Sequence, residues 1–69
     1  MVRTQVNFVQ VTPDDRRRRV WMVAGPREEA VSRVLNAIPD GWAASLLPLR
    51  SVAASRLNMQ AGDLRELTR

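Results

Sequence analysis

Three observations predict a small α+β domain with a single sheet. Two alternating, β-branched stretches flank a turn near the N-terminus, one strongly amphipathic helix follows, and two short apolar segments, each set off by a turn, come after it. The expected order is β-β-α-β-α-(β): three to four strands, hairpin first, with one main and one short helix on one face. At 69 residues the chain is expected to form one domain spanning 1–69.

The first strand is read over "RTQVNFVQV", Arg3 to Val11. Val6 and Phe8 fall on one side, Val9 and Val11 on the other. The apolar side switches mid-strand, which requires a bulge or a strand covered on both faces. "TPDD" supplies turn chemistry, because Pro13 fixes its φ and Asp14 and Asp15 accept local backbone hydrogen bonds. "RVWMVA", Arg19 to Ala24, completes the hairpin, with Trp21 and Val23 opposed to Val20, Met22 and Ala24.

Gly25 releases that strand and Pro26 suits the first helical position. Glu28 and Glu29 complement the helix dipole, and Glu29 and Arg33 stand four apart. Ala30, Val31, Val34, Leu35 and Ile38 recur at helical spacing, and Pro39 ends the helix before the Asp40-Gly41 turn. "WAASLL", Trp42 to Leu47, reads as the third strand. A right-handed crossover through the helix makes it parallel to the second strand and antiparallel to the first, in the spatial order 3-1-2. "SVAASRLNM", Ser51 to Met59, reads as a short helix capped by Ser51. After Gly62-Asp63, the segment Leu64 to Thr68 reads as a final strand, although the three-residue spacing of Leu64 and Leu67 also suits a helix.

A chain this short has little area with which to stabilise itself. It has no Cys for a disulfide and no His or Cys for a zinc or iron site. Good packing or a partner chain remains. Both faces of the hairpin carry apolar residues, and two short helices on one face cover only that one. The simplest lid for the other is a second copy of the chain. Trp21, with Val9, Val11 and Val23, marks the expected interface; the competing reading of Trp21 is plain intramolecular core.

Without His, Cys, Lys or Tyr the usual bases and nucleophile activators are missing, and the serines have no base beside them. Asp14-Asp15 is the one adjacent carboxylate pair and is better explained by its turn. No glycine-rich phosphate loop exists among three glycines. The expectation is a non-enzyme with no cofactor and no metal. No apolar run approaches the roughly 20 residues that cross a bilayer, and "MVRTQVNF" lacks a signal-peptide core. The expectation is a cytoplasmic protein of bacterial type with no membrane partner.

The net charge is +4 and all eleven basic residues are Arg. Arg-only usage suits a bidentate grip on phosphate or carboxylate; GC-rich coding produces it too. Arg16, Arg17, Arg18 and Arg19 form the one block. Such a block releases counterions from a nucleic-acid backbone, or it is a solvated hairpin lip that discourages edge aggregation. Asp14 and Asp15 reduce its local charge to +2, four arginines less two aspartates.

The C-terminal third, "LLPLRSVAASRLNMQAGDLREL", resembles the strand-Pro-helix-Leu-Gly-Leu-Gly-Asp-strand pattern of AbrB-type swapped-hairpin DNA-binding regulators and antitoxins. Leu46, Leu47 and Pro48 match the strand ending in Pro; Leu57, Asn58 and Met59 match the Leu-Gly-Leu stretch, with Asn58 in place of the glycine; Gly62-Asp63 match the Gly-Asp. The N-terminal hairpin and main helix have no counterpart. The resemblance implies a homodimer that sets basic residues on DNA, with Arg50 and Arg56 in the comparable region. Two functions are therefore expected in competition. One is a non-enzymatic accessory protein that acts through protein–protein contacts as a homodimer. The other is a nucleic-acid-binding regulator that uses the arginine block.

Overall fold

A computed structural model describes residues 4–67. The chain is α+β: one antiparallel five-stranded sheet, one main helix and one 3-10 turn. The elements are β1 (Gln5–Thr12), β2 (Arg19–Ala24), α1 (Arg27–Ala37), β3 (Ala43–Leu46), β4 (Val52–Ala53), the 3-10 turn Ala54–Leu57, and β5 (Leu64–Leu67). The strand order is β3-β1-β2-β5, and β4 pairs with the start of β1 on the edge that β3 occupies further along. The expected 3-1-2 order therefore holds, and β5 extends it past β2.

The switch of apolar side in β1 is resolved without a bulge. The β1–β2 ladder runs without interruption from Val6↔Ala24 to Val11↔Arg19. Both faces are covered instead, each by its own small core. On the α1 side lie Val9, Val11, Val23, Ala30, Val34 and Ile38. Opposite them lie Val6, Met22, Ala24, Ala54 and Met59, with Phe8 and Leu57 packed alongside. α1 packs on β1, β2 and β3. It begins one residue later than expected, because Pro26 has extended backbone (ψ 141°) and serves as the N-cap.

The expected short helix over Ser51–Met59 does not form, and its place is on the opposite face from α1. Val52 and Ala53 join the ladder opposite Val6 and Gln5. That leaves too few residues for an α-helical nucleus before Met59 turns in. The 3-10 turn is capped by Ala53 rather than Ser51 and ends at Asn58, in left-handed backbone at φ +54°. Met59 N–H donates to the Ala54 carbonyl at 3.0 Å, and Arg65 Nη1 donates to the Leu57 carbonyl at 3.0 Å. Arg65 stands opposite Met22 and so ties the turn to the sheet. The chain then reverses at Gly62, whose φ of +91° is open to glycine at little cost. Gly62 N–H donates to the Ala24 carbonyl at 2.8 Å, which delivers Leu64 to the edge of β2. The final strand is Leu64–Leu67; Thr68, expected to end it, lies outside the described residues.

Candidate interaction surfaces

Strand parity decides which side chains a partner can reach. Directly opposed residues of an antiparallel pair share a face. Trp21 stands opposite Val9, so it lies on the α1 side, half-buried against that core. Val9, Val11 and Val23 are 0% exposed in the same core. The four residues expected at an interface are therefore intramolecular core, and none lies on the face away from the helix. The expectation failed because it placed no segment of the chain on the second face. The 54–59 segment covers part of that face from within.

It does so over only half the length. The remainder of that face, toward the hairpin loop, presents Gln10, Val20, Ala43, Ser45 and Leu67 from the paired strands. Leu47 continues the alternation, its N–H donating to the Phe8 carbonyl at 2.9 Å. No charged side chain lies among these positions, in a chain that is 26% charged. Leu67 is 53% exposed there.

The hairpin loop, Pro13 to Arg18, is built from turn contacts. Arg16 N–H donates to the Pro13 carbonyl at 3.0 Å, Asp15 Oδ1 accepts the Arg17 N–H at 3.0 Å, and Arg16 has φ +61°. Asp15 thus fills the turn role expected of it. The arginine block is divided. Arg19 reaches Glu66 at 3.4 Å and lies 5.8 Å from the centroid of the Trp42 ring, a link between residues 47 apart that no local pattern reveals. Arg16, Arg17 and Arg18 are exposed and have no ion-pair partner among the described residues.

Acidic residues share this end of the sheet. Asp14 and Asp15 lie in the loop, Glu66 faces Arg19, and Asp40 immediately precedes the segment that pairs with Thr12. Four arginines meet four carboxylates. Arg50 and Arg56 are also exposed but lie elsewhere. Arg56 follows Ala53, which pairs with Gln5, seven strand residues from Thr12. At roughly 3.3 Å per residue that separation is about 23 Å. The six arginines do not form one patch.

A cavity of about 340 Å³ opens at the opposite end, between the start of β1 and the N-terminus of α1. Among the described residues no three carboxylates gather as a metal site would require, and no helix is long and apolar enough to cross a membrane. The chain matches no protein-family model, no curated protein and no solved structure.

Proposed function

We propose that this chain is a non-enzymatic binding module that works as a homodimer, with the uncharged half of the second sheet face as the contact between copies. The observation that carries this reading is the half-finished cover of that face. Val20, Leu47 and Leu67 stand there with Gln10, Ser45 and Ala43, and nothing of the chain's own lies over them. The surface area supports it. A folded monomer of 7.8 kDa exposes about 4,400 Å² by the usual mass scaling, whereas this chain exposes 5236 Å². The difference, on the order of 800 Å², equals one partner's share of a standard interface.

Pairing through the sheet edge is the less favourable route. Two copies of β5 related by a two-fold axis place residues of equal parity opposite each other. Registers centred on the strand then set Arg65 against Arg65 or Glu66 against Glu66, like charges that repel across a ladder. Face-to-face packing avoids this.

The nucleic-acid reading is the weaker one. Four carboxylates at the hairpin end oppose the phosphates that its arginines would hold, and Arg50 and Arg56 are too distant to add to them. The hairpin arginines act as a solvated rim beside the contact face. Light scattering at micromolar concentration tests the proposal: twice the 7.8 kDa chain mass is expected. A monomer mass with a concentration-independent melt would overturn it. So would a salt-sensitive complex with duplex DNA that is lost when Arg16 to Arg19 are replaced by Ala.

A further inference from the structure

We propose that the cavity between the start of β1 and the N-terminus of α1 binds a small carboxylate carrying an apolar body and an amide N–H, the chemistry of an N-acyl amino acid or a peptide C-terminus. The site is independent of the dimer contact and lies at the other end of the sheet. Two backbone bonds hold its frame. Gly25 N–H donates to the Gln5 carbonyl and Gly62 N–H to the Ala24 carbonyl, both at 2.8 Å. These bring Ala61 and the β2–α1 joint together around a space of about 340 Å³, with Ser51 on its wall. That volume lies at the low end for a ligand pocket and suits a body of one or two residues.

Asn7 supplies the polar anchor. It is 4% exposed and the one buried polar residue among those described. Its Nδ2 donates to the Gly25 carbonyl at 3.0 Å, which fixes the amide's orientation. Oδ1 accepts from no donor among the described residues. Nor is it sealed off. The buried side-chain polar atoms without a partner are Trp21 Nε1 and Arg33 Nε. Oδ1 therefore keeps accessible surface, and the space that Asn7 lines is the cavity. An acceptor there calls for a donor on the ligand.

The opposite pole is positive. Arg27 lines the cavity and has no ion-pair partner among the described residues. The N-cap of α1 is Pro26, with no side-chain cap, so the first-turn N–H groups of the helix remain available to an anion. Of the two acids in that turn, Glu29 faces Arg33 at 3.8 Å and Glu28 is exposed. Pro26 and Ala61 give apolar wall between the poles. A carboxylate on Arg27 and the helix end, an N–H on Asn7 Oδ1 and an aliphatic side chain against Pro26 and Ala61 satisfy all three.

The test is a titration of the ¹⁵N-labelled full chain with N-acetyl-leucine, its neutral amide, and a pentapeptide ending in leucine. Saturable shifts are expected at the Asn7 side-chain amide, Gly25, Arg27, Ser51 and Ala61. The neutral amide and the Arg27→Gln variant should each bind about fivefold more weakly, the loss of one charge-assisted contact. Ala61→Trp, which fills the space from an exposed position, should abolish the shifts while the melt is unchanged. Tighter binding of the pentapeptide assigns the site to protein C-termini; tighter binding of N-acetyl-leucine assigns it to a small molecule. Absence of saturable shifts up to about 10 mM overturns the proposal. So does equal binding of acid and amide, or binding that survives Ala61→Trp.

Discussion

The two faces of the sheet are finished by different means. On one, an eleven-residue helix lays Ala30, Val34 and Ile38 over Val9, Val11 and Val23, and four of these six are valine or isoleucine with no exposure above 8%. On the other, a four-residue 3-10 turn and one methionine cover half the area, held by a single guanidinium–carbonyl bond from Arg65 and a backbone bond within the segment. A regular helix covers a face of the sheet efficiently because its stripe repeats along the strands. An irregular segment covers only the spot where its few apolar residues land. The difference makes the first face the folding core and leaves room on the second for binding.

Substitutions should separate the faces. The largest effect is expected for Val34→Asp. A charge placed in the α1-side core without a partner costs several kcal/mol, comparable with the whole stability of a domain this small. Circular dichroism should show an unfolded chain. Met59→Ala should cost about 2 to 3 kcal/mol and speed amide exchange from Ala54 to Met59 more than in β1 and α1. Equal acceleration in α1 would show that the two faces form one cooperative unit. Arg65→Gln should cost less than about 1 kcal/mol, because the bond it removes is exposed. Asn58→Gly should raise stability by about half a kcal/mol, since it frees the φ +54° position from side-chain strain. A loss in the Asn58→Gly melt would contradict the left-handed cap.

Much of this architecture is legible in the sequence, for reasons that differ by element. The α1 stripe and its flanking prolines are local signals, and α1 stands within a residue of where they put it. The parity switch at Phe8–Val9 is also local and correctly demanded cover on both faces. What provides that cover is not local. Val52 pairing with Val6 converts the start of an expected helix into a strand, and such a pairing has no signature in "SVAASRLNM". The same limit explains the misplaced interface. Trp21 is large and apolar, but its face is set by its partner Val9 in the register. The turn role of Asp15 was readable because it acts two residues away. The Arg19–Glu66 contact was not, because it joins neighbouring strands from opposite ends of the chain.

The central claim is that two copies meet through the bare half of the second face. An isotope-filtered NOE experiment on an equal mixture of ¹³C-labelled and unlabelled chain tests it most directly. Cross-peaks between copies are expected from the methyl groups of Val20, Leu47 and Leu67, and Leu67→Arg should remove them while leaving the amide spectrum of α1 in place. No intermolecular cross-peaks at millimolar concentration, or cross-peaks arising from Leu35 on the outer side of α1 instead, would contradict the account.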